Sequence, residues 1–295
     1  MNEAAEAGKM SIWEHLDELR SRVIRALIAY LVGVSLAWTF RDEILAWMWK
    51  PYAESWKAQN IPGDPTLNFA APSDAFKAYF KLSLIGGLMF AAPVIFYQLW
   101  AYIAPGLYKK EKKVVLPFVF FSTVLFVGGG LFGWRIAFPL TFDYLLALAG
   151  EAQGIGLAIR PVVMMGEYID FVSSMLVGFG ITFELPLFIL FLSIAGLVNY
   201  LQLIRFGRWF ILIAFTVGAI FSPPDTSSQI AMSVPLCVLY FLSIGLAYLF
   251  GKRPSPEQIA KDRAERAALK AQKKAERAAK DAKLKTKGKP PAAGG

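Results

Sequence analysis

The chain has 295 residues but only one cysteine, Cys237, and one histidine, His15. A disulfide framework or a thiolate metal cluster needs several cysteines, so the sequence excludes both. Ser-His-Asp triads, H-E-x-x-H zinc sites and multi-histidine haem sites would all depend on His15. The sequence also lacks a G-x-x-x-x-G-K loop, so the chain does not itself couple nucleotide hydrolysis to its function. We therefore expect no enzymatic activity, no metal site and no other cofactor.

Excess charge is confined to the C-terminal tail. The net charge is +9, and residues 251–295 account for it with 14 Lys and Arg against 5 Asp and Glu. The first 250 residues carry 17 charges of each sign and do not interleave basic with aromatic residues as a nucleic-acid stacking surface would. We therefore expect no nucleic-acid partner, and we expect the basic tail to lie near membrane lipids.

Long apolar runs dominate the remaining sequence. Hydrophobic residues make up 56% of the chain, and the mean hydropathy is +0.46, as in integral membrane proteins. Six runs are predicted to span a membrane: 23–40, 82–104, 114–134, 171–198, 209–221 and 230–250. The fifth would reach only about 20 Å of a ~30 Å hydrocarbon layer. The predicted fold class is an all-α polytopic membrane protein with six transmembrane helices and no internal repeat.

The distribution of basic residues predicts the orientation of these spans. An even number of spans puts both termini on one side. That side holds 24 Lys and Arg, counting Arg25 at the start of the first span, and the other side holds 7. The bias predicts cytoplasmic termini. We divide the chain into an amphipathic N-terminal helix (1–22), a six-span membrane domain (23–250) and a basic cytoplasmic tail (251–295).

The N-terminal segment has the pattern of a helix that runs into the first span. Ser11 and Glu14 form a capping box, S-x-x-E. Apolar residues then recur at helical spacing on one face, and charged residues occupy the other. Glu18 and Arg22 are four residues apart on the charged face, so they are expected to form an ion pair.

Glu184 is the one charged residue within the run 171–198. A charge at the centre of a spanning helix is unfavourable by roughly 2.5–3.5 kcal/mol, so the side chain should face other helices or a wet cavity. Pro186 is expected to bend this helix. Glu184 could serve a function, or it could be a hydrogen-bonded glutamate that only packs the bundle. A proton- or ion-coupled small-solute carrier is the alternative function, although no matching pair of broken helices supports it.

Four further residues lie in the predicted connections. Pro105 and Gly106 are expected to break the second span's helix. Glu111 follows among four lysines, and the residues alone favour a counter-ion of a solvated basic loop. Asp225 is expected to cap the sixth span.

Several of these segments together resemble the TatC family, the multi-span receptor subunit of the twin-arginine protein translocase. The matching segments are H-L-D-E-L-R-S-R at 15–22, A-P-S-D-A-F at 71–76, Y-I-A-P-G-L-Y-K-K-E at 102–111, F-E-L-P at 183–186, and S-P-P-D followed by S-Q within 222–229. Asp74 stands where the family pattern has Glu, and Tyr102 replaces the commoner Phe. The ordered motifs fall within residues 12–250, and only the tail lies outside them.

The resemblance implies a receptor in the cytoplasmic (inner) membrane of a prokaryote. It would bind twin-arginine signal peptides and help to move folded proteins across the membrane, driven by the proton-motive force. The implied partners are single-span subunits of the TatA and TatB type, signal peptides of folded cargo, other copies of the chain and membrane lipids. The same resemblance implies that Glu18 and Glu111 contact the arginine pair. We therefore now favour a binding role for Glu111 over the counter-ion role.

The other residues implied by the resemblance have different roles. Arg20 and Tyr102 would lie near the signal-peptide site, and Glu184 would contact a polar residue of a partner helix within the membrane. The remaining four positions would be structural turns: Pro72, Asp74, Pro105 and Asp225. Arg20 could alternatively pair with Asp17, and Tyr102 could simply anchor at the headgroups.

Overall fold

The computed structural model describes residues 12–107, 115–148, 150–152, 157–159, 161–221 and 226–253, together with positions 256, 259, 260, 264 and 271. The helices are α1 Ile12–Thr39, α2 Arg41–Ala58, α3 Pro72–Leu107, α4 Val115–Phe132, α5 Phe138–Ala147, α6 Met165–Phe183, α7 Leu185–Ala195, α8 Tyr200–Phe221 and α9 Thr226–Phe250. A π-helical turn, Gly133–Ala137, joins α4 to α5. The short strands are β1 Leu67–Asn68, β2 Gly150–Ala152, β3 Leu157–Ile159 and β4 Val163–Met164.

Six segments of the described chain are helical, long and apolar enough to cross a membrane. They are Trp13–Thr39, Pro72–Ile103, Val115–Ala147, Met165–Ala195, Tyr200–Ile220 and Gln229–Phe250. The predicted fold class and number of spans are therefore confirmed. We call the end of the bundle where α1 begins and α9 ends the terminal end. Since successive spans alternate in direction, α3 also ends there and α8 begins there.

The fifth span is longer than predicted. Helix α8 has 22 residues and is about 33 Å long, so the prediction of a thirteen-residue span was wrong. Asn199 and Gln202 start the helix by reciprocal capping, because each side chain accepts a hydrogen bond of 3.0 Å from the other residue's backbone N–H. Arg205 and Arg208 therefore lie within the first three turns of α8 rather than in a loop.

Proline has different effects in two helices. The helix is interrupted between α6 and α7 at Glu184, two residues before Pro186. Pro186 has no backbone N–H to donate to the carbonyl of Thr182. This agrees with the predicted bend. The predicted break at Pro105 was wrong, because α3 continues to Leu107. Pro105 removes one hydrogen bond, but its fixed φ is compatible with a final helical turn.

The end opposite the termini is closed by α2, α5 and the strands. β1 pairs in parallel with β4, and β2 pairs antiparallel with β3. The Tyr168 hydroxyl of α6 donates a 2.7 Å hydrogen bond to the carbonyl of Met48 in α2, which ties this cap to the fourth span. Trp47 stacks on Trp134 with ring centroids 4.6 Å apart. Trp49 packs against the core.

Helix α1 packs mainly along α3. A Cβ placed on Gly33 would lie 2.6 Å from the carbonyl oxygen of Gly87, and a Cβ on Gly87 would lie 2.6 Å from the backbone nitrogen of Val34. Glycines thus allow the two backbones to approach closely, as in other membrane helix pairs. On another face of α1, side chains such as Leu31 and Val32 are more than half exposed and are available to lipid.

We expect Gly87→Ala to destabilise the protein through this contact. Overpacking of this kind is unfavourable by about 1–3 kcal/mol, so the midpoint of thermal unfolding in detergent should fall by several degrees. The matched control is Gly128→Ala, because a Cβ there meets no atom within 4 Å. Both substitutions gain helix propensity, so their difference isolates the steric clash. Equal midpoints for the two variants would contradict the proposed contact.

Candidate functional site

The first turns of α1 lie beside the last turns of α3 at the terminal end. The imidazole of His15 stacks on the ring of Tyr102, with centroids 4.6 Å apart and ring planes 17° from parallel. Glu18 follows His15 by three residues, so it lies on the same side of α1. The structure therefore brings Glu18 towards the end of α3 that carries Tyr102.

Glu18 already holds one guanidinium. Arg22 donates from Nε at 2.9 Å and from Nη2 at 2.5 Å to Glu18 Oε1, as the spacing of the two residues predicted. The side chains of Arg22 and Glu18 are 18% and 23% exposed, respectively, so the pair is partly shielded from water. Both Arg22 donors bind Oε1, so Arg22 makes no hydrogen bond to Oε2.

The two faces of the N-terminal helix meet different surroundings. Leu16, Leu19 and Val23 are exposed on the apolar face, whereas Ser21 and Arg22 on the polar face are only half-exposed. The apolar side of this segment can therefore contact lipid, while Ser21 and Arg22 on the polar side are partly shielded from solvent. Arg20 is exposed.

Two of the predicted site residues, Glu111 and Asp225, lie outside the described residues. The predicted turn residues Pro72 and Asp74 lie at the start of α3, at the end of the bundle opposite the termini. Pro72 is the first residue of the helix. Asp74 accepts a 2.9 Å hydrogen bond from the Ala71 N–H and a 3.4 Å hydrogen bond from Lys77 Nζ. These contacts cap the helix after the turn.

Glu184 forms a second polar site, in the break between α6 and α7. Its backbone N–H donates to the carbonyl of Ile181, and its own carbonyl accepts from Phe188. Ser122 of α4 lies close to the carboxyl group. Ser122 also accepts a 2.7 Å hydrogen bond from Trp100 Nε1 of α3. Three spans therefore meet at this carboxyl group.

The hydrogen bonding of this buried site is incomplete within the described residues. Glu184 Oε1 is buried and has no hydrogen-bond partner. A buried acceptor left without a donor is unfavourable by about 1–3 kcal/mol. The site can therefore accept a hydrogen bond from a donor that the described chain does not supply. No group of three His, Cys, Asp or Glu in the described residues could hold a metal ion.

Sequence reasoning missed the contact between His15 and Tyr102. The available signal was the spacing of His15 and Glu18, which places the only histidine on the same helix face as the candidate carboxylate. The partner ring is more than eighty residues away in the chain, so helical periodicity could not identify it.

The model of the family described as Sec-independent protein translocase protein (TatC) matches residues 14–235. The TatC protein of Aquifex aeolicus is 38% identical over 240 residues, covering 81% of this chain and 95% of the relative. That of Desulforapulum autotrophicum is 37% identical over 253 residues, covering 86% and 90%. A crystal structure of the twin arginine translocase receptor TatC matches with a TM-score of 0.69 at 38% identity, over 80% of this chain and 99% of that one. The chain therefore belongs to the TatC family of Sec-independent protein translocase proteins.

Proposed function

We propose that this chain is the signal-peptide receptor of a twin-arginine translocase in the cytoplasmic membrane, with its terminal end in the cytoplasm. The observation that carries the proposal is the half-buried Glu18 carboxylate, which already binds a guanidinium through two hydrogen bonds. The excess of Lys and Arg on the side of the termini supports the orientation. A crystal structure of a similar chain is that of a twin arginine translocase receptor.

Two acceptors are needed for two arginines, and we assign Glu18 and Glu111 to them. A guanidinium presents a planar fork of donors that matches a carboxylate, whereas an ammonium presents a point charge. Each hydrogen bond to a charged group contributes about 1.5–3 kcal/mol. Arg20 and Tyr102 would line the approach, and Tyr102 can offer a ring face to a guanidinium. This difference between Arg and Lys accounts for selection of a paired-arginine signal.

Arg22 occupies the place that a signal arginine would take on Glu18. An incoming guanidinium must either displace Arg22 or bind the oxygen that Arg22 does not use. In both cases the internal pair opposes binding, because the two guanidinium groups share one negative charge. Arg22 therefore competes with the peptide for Glu18. A peptide needs a higher affinity to bind than it would need without Arg22.

We assign Glu184 to contacts with single-span partner helices of the TatA and TatB type. Its unpartnered Oε1 can accept a hydrogen bond from a polar residue of such a helix or of an inserted signal peptide. Other copies of the chain and surrounding lipid complete the assembly. The family resemblance implies that the proton-motive force drives transport, and we include that driving force in the proposal.

Glu18→Gln and Glu111→Gln should each weaken binding of a twin-arginine signal peptide by about ten- to a hundredfold. Each variant removes one charge-assisted acceptor. Affinity is measured with a fluorescent peptide and purified protein, alongside a peptide in which both arginines are lysines. The control is Glu43→Gln, an exposed glutamate at the opposite end of the bundle. Unchanged affinity in both test variants would remove the proposed site.

Arg22→Gln should have the opposite effect on peptide affinity. Loss of the internal pair frees Glu18, so the twin-arginine peptide should bind about two- to fivefold more tightly, the range expected for a partly exposed ion pair. Arg22→Lys keeps a positive charge within reach and should change affinity less. Weaker binding by Arg22→Gln would mean that Arg22 supports the peptide site rather than competing for it.

Glu184→Gln should reduce co-purification of single-span partner subunits at least fivefold while leaving peptide affinity within twofold. The reason is that the charge lies within the bundle, away from the terminal end where the peptide would bind. Glu167→Gln, at the other end of the same helix and exposed, serves as the control. Equal loss of both activities would contradict this division of roles. Solute flux in liposomes that vanished with Glu184→Gln would favour a carrier instead.

A further inference from the structure

Gln98 is a buried polar residue of α3 that the proposed function does not use. Its Oε1 is buried and has no hydrogen-bond partner among the described residues, and the residue as a whole is 8% exposed. Tyr97 and Leu99 on either side are exposed, so Gln98 is the one of these three that faces another helix. A buried acceptor without a donor destabilises the fold, so this position suggests a functional reason.

Gln98 lies on the side of α3 that packs on α1. Gly87 and Ala91 lie against a glycine in the middle turns of α1, and Tyr102 stacks on its first turns. Gly87, Ala91, Gln98 and Tyr102 are separated by four, seven and four residues, which is the spacing of one helix face. The buried amide of Gln98 is therefore expected to face α1.

Arg22 lies on the matching side of α1. His15 and Gly33, which make the contacts with α3, precede and follow it by seven and eleven residues, or about two and three helical turns. Arg22 is also half-buried, whereas the adjacent Val23 is exposed. Arg22 therefore faces α3 while its guanidinium binds Glu18.

Arg22 and Gln98 also lie at the same level of this antiparallel helix pair. Counting seven residues along both helices from the aromatic stack at the terminal end puts Arg22 opposite position 95. Counting eleven residues back from the glycine contact puts it opposite position 100. Gln98 falls between these positions, so it lies within about 5 Å of Arg22 along the helix axes. The flexible stem of an arginine can cover such a distance.

We propose that Gln98 is the acceptor that receives Arg22 when a signal-peptide arginine takes its place on Glu18. Before the peptide arrives, Arg22 prefers the carboxylate, because hydrogen bonds between ions are stronger than those to a neutral amide. Once an incoming guanidinium occupies Glu18, Arg22 is a shielded cation that has lost its acceptor. The carbonyl oxygen of Gln98 then supplies a new one. This inference rests on the proposed function, because it explains how the internal pair gives way to a ligand.

The burial of Gln98 favours this role over direct contact with the peptide. Its Oε1 is enclosed on the side of α3 that packs on α1, so a peptide could reach it only if the two helices separated. Arg22 already belongs to the same contact and can turn to Gln98 by changing its side-chain conformation. The exchange leaves neither guanidinium without an acceptor, so Gln98 makes Glu18 more accessible to signal arginines.

The first test measures the affinity of a fluorescent twin-arginine peptide for the full-length protein in detergent. Gln98→Met keeps the size of the side chain but removes the acceptor, so affinity should fall about three- to tenfold. In an Arg22→Met background the same substitution should change affinity less than twofold, because no displaced guanidinium needs Gln98. The matched control is Gln59→Met, an exposed glutamine at the opposite end, which should keep wild-type affinity. An equal loss in both backgrounds would mean that Gln98 contacts the peptide itself and would overturn the assignment.

The second test needs no peptide. Glu18→Ala removes the first acceptor of Arg22, so Gln98 should already bind Arg22 in this background. Adding Gln98→Met there should lower the midpoint of thermal unfolding by about 2–4 °C. In the wild-type background Gln98→Met replaces an unpartnered acceptor with an apolar group, so the midpoint should stay the same or rise. Equal effects of Gln98→Met in the two backgrounds would overturn the proposal.

The two tests separate this inference from the proposed function. If the wild-type protein did not bind the twin-arginine peptide, the proposed function would fail, and the unfolding comparison alone would decide the role of Gln98. If Glu18→Gln weakened peptide binding but Gln98→Met did not, the proposed function would stand and the role of Gln98 would be overturned. Circular dichroism checks that Gln98→Met remains helical, and Gln98→Leu replaces it in both tests if it does not.

Discussion

Hydrocarbon offers no hydrogen bonds, so each polar group within the spans must find its partner in the protein. Trp100 Nε1 of α3 donates a 2.7 Å hydrogen bond to Ser122 Oγ of α4. Tyr240 of α9 donates at 2.6 Å to the carbonyl of Leu203 in α8. These bonds tie neighbouring spans together. Against this background, the buried Oε1 of Glu184, which has no partner within the described residues, identifies a place where the structure can accept an outside donor.

The position of Glu18 at the terminal end depends on the packing of one helix pair. Because α1 packs mainly on α3, the close contact of Gly33 and Gly87 fixes how far apart these helices lie. The stack of His15 on Tyr102 then fixes the rotation of the first turns of α1. Glu18 therefore points to a defined place although its helix touches little else. A contact in the middle of the membrane thus positions a carboxylate at its surface.

Much of this arrangement follows from local patterns in the sequence. Apolar run length predicts six spans, the i, i+4 spacing predicts the Glu18–Arg22 pair, and Pro186 predicts the break beside Glu184. The length of α8 was not predicted, because hydropathy treats arginine as a loop residue, whereas long arginine stems let Arg205 lie within a helix. The stack of His15 on Tyr102 was not predicted either. It depends on how two distant helices cross, which no local pattern encodes.

The short strands also escaped prediction. Strand β1 pairs with β4 across almost a hundred residues, and each of these strands has only two residues. Such segments carry no periodic signal, because alternation needs four or more residues to be recognised. The pairing of Leu67 with Val163 depends on helices that first bring the two connections together. Tertiary structure therefore determines these strands.

The two candidate carboxylates differ in how readily they can exchange partners. At the surface, water can replace Arg22 at Glu18 as a ligand arrives, so exchange there requires little net free energy. Within the bundle water is scarce, and removing a partner from Glu184 leaves an acceptor unpaired at about 1–3 kcal/mol. A shielded but accessible acid suits reversible recognition of many peptides. A buried acid suits a longer-lived helix contact. This physical difference agrees with the proposed roles that the family resemblance implies, signal binding for Glu18 and assembly for Glu184.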